Sequence, residues 1–295
     1  MIVVPGSINL DLTARVERLP APGETVQGPS FATAPGGKGA NQALAARRAG
    51  ADVAMIGAVG ADTQAGEALA LLNDGGVDLS RVKSVEDVST GVALIMVDDA
   101  KGENMIAVVA GANGKVTPED VAAVPLGPGD AVLLQMEIPA GTVAAALRHA
   151  RAAGALSLLN IAPYTGDVPG LAADADIVVA NETEFRALAA ALQLAGAGLS
   201  ARMAAFVAQT GRALVVTLGP DGALAATPDG EFRAAAPEIE PVDTVGAGDT
   251  FCGYLATALA GGMAWPEALD LAVRAGAAAC LKPGAQPAIP FRDDL

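Results

Sequence analysis

The sequence predicts an α/β protein: a doubly wound, mostly parallel sheet flanked by helices, with a small β-sheet lid added to it. Three observations carry this prediction. From Thr117 onward, apolar strand-like runs alternate with helical stretches. Hydrophobic residues make up 52% of the 295 residues but aromatics only 3%, an Ala, Val, Leu and Ile palette that suits helices packed on buried parallel strands. Two β-rich patches, at 11–35 and 91–109, break the alternation. The length suits one large α/β domain or two modest ones. With no internal repeat or low-complexity linker, the chain reads as a single domain, 1–295, whose lid is formed by the two inserted patches.

The elements follow in order. Ile2, Val3 and Val4 open a short apolar strand. Between 11 and 35, Pro20, Pro22, Gly23, Gly28, Pro29 and Pro35 leave no room for a helix. Helical periodicity begins after Gly39, with Ala43, Leu44 and Ala46 on one face, and stops at Gly50. A strand is expected over 51–59 and a helix over 62–73, closed by Gly75 and Gly76. Residues 91–109 alternate as a hairpin does, turning at 98–102. Further strands are expected at 131–135, 155–159, 176–179 and 213–218, and helices at 142–153, 182–192 and 199–209. The lid would lie over the C-terminal ends of the parallel strands, where open α/β sheets bind ligands.

Composition excludes several functions. The formal net charge is −15, and Arg47–Arg48 is the only basic doublet. Nucleic acid and anionic membrane surfaces both need basic stripes, so neither is an expected partner. The longest uncharged stretch, 250–266, holds Gly253, Gly261 and Gly262 and is short for a membrane span. No basic-then-apolar leader precedes the first strand. Cys252 and Cys280 give no disulfide framework; both read as buried thiols, which fits a cytoplasmic location. His149, the lone histidine, sits in the last turn of a helix and reads as structural.

Chemistry concentrates in three strings. In Asp243-Thr244-Val245-Gly246-Ala247-Gly248-Asp249-Thr250-Phe251, two glycines permit a tight turn and a helix follows. The free N–H groups of that helix start form an anion site. Asp249 at this point is either an N-cap or a base that takes a proton from an attacking hydroxyl beside a bound phosphate. In Gly36-Gly37-Lys38-Gly39-Ala40-Asn41-Gln42, the glycine spacing and the lack of Ser or Thr after Lys38 exclude a P-loop. A glycine cluster before a helix instead lets a polyol approach backbone amides, and Asn41 adds a donor and an acceptor. In Gly6-Ser7-Ile8-Asn9-Leu10-Asp11, Asn9 and Asp11 share one side of an extended chain. They either grip adjacent hydroxyls or cap a turn.

The Asp243–Phe251 string closely resembles the C-terminal signature of the ribokinase (PfkB-type) family of sugar kinases, and the Gly36–Gln42 and Gly6–Asp11 strings resemble its N-terminal ones. The likeness runs in order from Gly6 to Pro290 and takes in Pro22-Gly23-Glu24-Thr25, Thr90-Gly91-Val92-Ala93 and Ala110-Gly111-Ala112-Asn113. The resemblance implies the ribokinase-like fold and ATP-dependent phosphorylation of a small sugar, ribose, at its primary 5-hydroxyl. Alternatives are another sugar or nucleoside (deoxyribose, a ketose), or a non-catalytic sugar-binding protein on the same fold. The resemblance makes Asp249 the general base and Gly246, Ala247 and Gly248 the anion hole. It puts Asn9, Asp11, Gly37, Lys38, Gly39, Asn41, Glu137 and Asp249 on the sugar. Asn181, Thr217, Gly219, Asp221, Gly222 and Gly248 are implied at ATP, and Glu184 near Mg²⁺. Asp243, Val245, Ala279, Lys282, Gly284 and Ala288 are implied around an activating K⁺. Two departures stand out: Ala288 where family members often carry Ser, and Val273 where many carry Asn or His near adenine. A homodimer formed through the lid is also expected, because an exposed β-edge invites pairing.

Overall fold

The structure, a computed structural model, describes residues 1–98 and 103–295. The strands are β1 Ile2–Pro5, β2 Asn9–Val16, β3 Ser30–Gly36, β4 Val53–Gly60, β5 Asp78–Val85, β6 Gly91–Asp98, β7 Asn104–Val109, β8 Ala131–Leu134, β9 Leu156–Asn160, β10 Ile177–Asn181, β11 Ala213–Thr217, β12 Ala223–Thr227 and β13 Gly230–Ala234. The helices are α1 Lys38–Arg48, α2 Thr63–Asp74, α3 Pro118–Ala122, α4 Ala140–Ala153, α5 Val168–Ala172, α6 Glu182–Ala191, α7 Leu199–Thr210, α8 Ala247–Ala260, α9 Trp265–Ala279 and α10 Ala285–Ala288.

Among the described residues, the strands form a nine-stranded sheet in the order β13-β12-β11-β10-β9-β8-β1-β4-β5, and a four-stranded sheet in the order β3-β2-β6-β7. In the large sheet the pairs from β11 across to β5 are parallel. Its apolar strands are covered on both faces, as a parallel sheet requires. Ile2, Val4, Val53 and Met55 meet α1, α2, α8 and α9 on one side. Val3, Ile56, Leu134 and Val178 meet the cluster built on α4, α6 and α7 on the other. The expected doubly wound fold is therefore the observed one.

Local chemistry sets the helix ends. Asp62 caps α2 by accepting from the Ala65 N–H at 3.1 Å. Gly154 and Gly211 close α4 and α7 in the left-handed conformation. Differences from expectation lie mainly at the sheet edges. The edge strand β5 carries Asp78, Arg81 and Lys83, so it lacks the apolar run that marks an inner strand. The β12–β13 pair is antiparallel, and β12 (ALAAT) has the composition of a helix but is buried throughout as a strand. The β6–β7 pairing is the expected hairpin, while most of its expected turn, 98–102, lies outside the described residues.

The chain switches direction between β1, which crosses over toward β4, and the neighbouring β8. Ligands of open α/β sheets sit at such switch points, beyond the strand C-termini. The four-stranded sheet stands at the same end, since β2 begins four residues after β1.

Two helices cross closely over this end. An added Cβ at Gly253 of α8 would lie 2.5 Å from Ala45 Cβ and 2.8 Å from the Gln42 carbonyl oxygen, both in α1. Only a glycine permits this approach. Gly253→Ala is expected to lower stability by about 1–3 kcal/mol through overpacking, read as a lower urea midpoint with an unchanged slope. An unchanged midpoint would show that the helices separate freely.

Candidate active site

The site is built where β1, β8, β9 and α1 meet the first turn of α8. Gly37 adopts φ 88°, and a Cβ there would lie 2.8 Å from the Asn9 nitrogen. A Cβ on Gly39 would lie 2.6 Å from Gly6 Cα. These glycines are thus required first by the packing of α1 onto the backbone of residues 6–9, and only then by any approach of a ligand. Glu137, just after β8, ties the pieces together. Its Oε2 accepts from Ser7 Oγ at 2.6 Å and from the Lys38 N–H at 3.0 Å. Ser7 Oγ in turn accepts from the Gly39 N–H at 3.2 Å. Asn9 Oδ1 accepts from Asn113 Nδ2 at 2.7 Å, which fixes the start of β2.

Helix α8 begins after Gly246, whose φ is 79°. The N-cap is therefore Gly246, and Asp249 lies three residues inside, so the capping alternative for Asp249 does not hold. Its carboxylate is 7% exposed and is held by α1. Asn41 Nδ2 donates to Oδ2 at 2.9 Å, and Gln42 Nε2 donates to Oδ1 at 2.9 Å. The Ala247 N–H is turned toward the Thr244 carbonyl at 3.3 Å. The Gly248 and Asp249 N–H groups have no acceptor within the helix, and an added Cβ at Gly248 would meet nothing within 4 Å. The open first turn thus presents positive dipole and free donors.

The polar floor is rich in acceptors. Burial, then the neighbouring Glu137 and Asp249 carboxylates, raise the Asp11 pKa to about 6, against the opposing pull of Lys38. Asp249, Glu137 and Glu184 outweigh burial at Lys38 and raise its pKa. Asn41 Oδ1 is buried with no hydrogen-bond partner. Three carboxylates, one ammonium and an idle amide oxygen call for a neutral ligand with many hydroxyl donors.

Beyond α8 lies a cavity of about 790 Å³, walled by Thr217, Gly219, Gly222, Gly248, Phe251 and Val273, among others. Thr217, Gly219, Gly222 and Gly248 thus stand together on its wall, while Asn181 and Asp221 are not on it. Asn181 and Glu184 form a capping box for α6. The Asn181 side chain accepts from the Glu184 N–H at 2.8 Å, and the Glu184 carboxylate accepts from the Asn181 N–H at 2.9 Å. Val273 gives the cavity an apolar wall where an amide or imidazole was the alternative. Cys280 also lines it, with its thiol pKa raised by burial.

Asp243 joins two loops: Oδ1 accepts from the Val245 N–H at 3.0 Å and Oδ2 from the Gly284 N–H at 2.8 Å. A carboxylate is a hard oxygen donor, the type an alkali cation takes. Ala279 and Ala288 are buried, and Ala288 offers no hydroxyl. Among the described residues no group of three His, Cys, Asp or Glu is placed to hold a metal.

Gln42, Gln135, Asn160, Ser7 and Asn113 had no assigned roles in the sequence, although four of them lie in or beside the quoted strings. The available signal was chemical: amides inside otherwise apolar strand ends and a helix face are buried only when paired. His149 is structural, its Nε2 lying 2.8 Å from the Val124 carbonyl.

Fold and site together join an acceptor-rich polar floor to a cavity of about 790 Å³ across the first turn of one helix of an α/β protein. The profile of the "pfkB family carbohydrate kinase" matches residues 1–292, and the chain belongs to that family. It is 36% identical to a ribokinase of Bacillus subtilis over 100% of this chain and 97% of that one. It is also 36% identical to a deoxyribokinase of Salmonella typhi, over 86% and 84%. The solved structure of Arabidopsis thaliana ribokinase complexed with ribose and ATP superposes with a TM-score of 0.87 at 31% identity, covering 99% of this chain and 96% of that one. No helix among the described residues is long and apolar enough to cross a membrane.

The Asp11 carboxyl sets a pH signature. Its folded pKa of about 6 lies above the ordinary 3.8, so the folded state keeps its proton longer. The stabilisation it gives is complete below about pH 4 and is lost as pH rises through about 6. Asp11→Asn should therefore gain on the wild type over that window, by about 1–3 kcal/mol in the ligand-free protein. Thermal denaturation at pH 4 and pH 7 checks this; an equal difference at both values would contradict it.

Proposed function

We propose that the protein transfers the γ-phosphoryl group of ATP to the primary 5-hydroxyl of ribose. The observation that carries this reading is the placement of Asp249. It is buried, held by two amides, and stands between an acceptor-rich polyol floor and the cavity bordered by Gly248. The sugar would lie among Asn9, Asp11, residues 37–41 and Glu137. Its hydroxyls supply the donors that the carboxylates and Asn41 Oδ1 lack. The same carboxylates would repel a sugar that already carries phosphate.

In the proposed mechanism Asp249 accepts the proton of the 5-hydroxyl as the oxygen attacks in line. The open α8 N-terminus receives the charge that develops on the transferred group, with Gly248 the free amide of the 246–248 turn. Lys38, raised in pKa by Asp249, remains charged and offsets the acidic floor. ATP would occupy the cavity over Thr217, Gly219 and Gly222, and Phe251 and Val273 would flank its base. Mg²⁺, when bound, would neutralise the phosphates, and K⁺ would sit against Asp243 and the 279–288 loop. The four-stranded sheet would act as a lid, β2 and β6 closing over the sugar to exclude water. Two buried free cysteines fit a cytoplasmic location.

The lid also supports the homodimer. The pairing registers put Phe31, Leu94 and Met105 on one face of the small sheet, opposite the face that bears Asp11. They are 66%, 48% and 49% exposed, and an apolar patch of this kind marks an interaction surface.

Two measurements test these readings. In a coupled ADP-release assay with Mg-ATP and K⁺, ribose should support turnover well above 2-deoxyribose, fructose, adenosine and no sugar. Turnover with 2-deoxyribose alone would move the assignment to the deoxyribokinase relative's substrate, and silence on every acceptor would favour a binding protein. In light scattering the mass should be twice that of the chain and should fall to one chain for Leu94→Asp; a monomeric wild type would end the dimer reading.

A further inference from the structure

We infer that Gln42 is a positioning residue for Asp249: a buried relay of the Gln135, Gln42 and Asn160 amides fixes Oδ2, not Oδ1, as the oxygen that takes the substrate proton. This rests on the reading of Asp249 as the base. Gln135, Gln42 and Asn160 are 1%, 0% and 8% exposed, so none of them exchanges partners with water. Two backbone carbonyls set the polarity of the relay. Gln135 Nε2 donates to the Leu133 carbonyl at 3.4 Å and to Gln42 Oε1 at 2.7 Å. Asn160 Nδ2 donates to the Val179 carbonyl at 3.3 Å. Gln42 must therefore turn its oxygen to Gln135, which leaves its Nε2 to donate to Asn160 Oδ1 at 3.2 Å and Asp249 Oδ1 at 2.9 Å.

Reversing Gln42 would set its oxygen against both Asn160 Oδ1 and Asp249 Oδ1, and would turn its amino group onto that of Gln135. Oδ1 thus always meets a donor on the sheet side, and a proton on that oxygen would point at the Gln42 amino group. Oδ2 lies on the other side and accepts from Asn41 Nδ2 at 2.9 Å, but Asn41 Oδ1 is unpartnered, so this amide, unlike that of Gln42, is not locked in one orientation by a second contact. The sheet frame itself, through β8 and β10, orients the base. The groups whose ionisation feels the Asp249 charge are Lys38 from α1, Asp11 from β2 and Cys252 on its own helix. Burial keeps the Cys252 thiol neutral, so it does not compete for the proton.

The test is the pH dependence of kcat at saturating ribose and Mg-ATP for the wild type, Gln42→Glu, Gln135→Met and Asp249→Asn, each checked for folding by circular dichroism. Gln42→Glu places a second carboxyl against Oδ1, and the pair must share a proton. The acid limb should move up by about one pH unit or more, with kcat at neutral pH down about 10-fold and KM for ATP unchanged. Gln135→Met does not touch Asp249 and should move the limb in the same direction by less. A uniform loss of kcat with an unmoved limb in both variants would overturn the relay. If Gln42→Glu does not fold, the limb of Gln135→Met alone decides, shifted for the relay and unmoved against it. Asp249→Asn should lose about 10²-fold or more in kcat. Should it keep near-normal turnover, the base assignment falls and the relay with it; an inactive Asp249→Asn beside an unmoved Gln42→Glu limb sinks the relay only.

Discussion

The close crossing of α1 and α8 is the constraint on which the rest of the site depends. Gly253 lets the helices approach within the reach of backbone atoms, and this brings the N-terminal turn of α1 against the N-terminal turn of α8. One turn supplies Lys38, Asn41 and Gln42; the other supplies Gly248 and Asp249. Neither helix could form the site alone. Without α1, the Asp249 carboxylate would be buried with no donors, at a cost of several kcal/mol. The same packing explains Gly37 and Gly39, which let the start of α1 rest on the backbone of residues 6–9.

Electrostatics then divide the site into two chemically distinct halves. The floor gathers Asp11, Glu137 and Asp249 around a single ammonium; burial first, then the two neighbouring carboxylates, lift the Asp11 pKa to about 6. Such a floor welcomes neutral hydroxyl donors and resists anions. Across the first turn of α8, the free amides and the helix dipole reverse that preference and favour an anion. The boundary between the halves is Gly248–Asp249, where a hydroxyl on one side would face a phosphate on the other. The position of Asp249 follows from this boundary, and its orientation follows from the amides behind it.

Much of this was legible in the sequence, and for physical reasons. Parallel inner strands are apolar along most of their length, so β1, β4, β8, β9, β10 and β11 show themselves. Glycines that must turn or permit close approach stand out at 36–39 and 246–248. The edge elements were less visible, because β5 is charged and β12 is made of alanines, residues whose strand state is decided by neighbours rather than by pattern. Among site residues, Asp249, Asn41, Glu137 and Asp11 carry local signals. Gln42, Gln135 and Asn160 do not. Each is an ordinary amide in its own segment, and their meeting depends on a sheet register and a helix crossing that link residues about a hundred positions or more apart. Asn181 and Glu184 are a different case: the capping box they form accounts for both residue types and their spacing without any ligand.

The most direct test of the account is a crystal structure with ribose and a non-hydrolysable ATP analogue bound together. The account predicts that the 5-hydroxyl oxygen lies within about 2.6–3.2 Å of Asp249 Oδ2, with Gln42 still donating to Oδ1 and the γ-phosphate facing the Gly248 amide. A 5-hydroxyl directed at Oδ1, or a sugar bound away from Asp249 altogether, would contradict it.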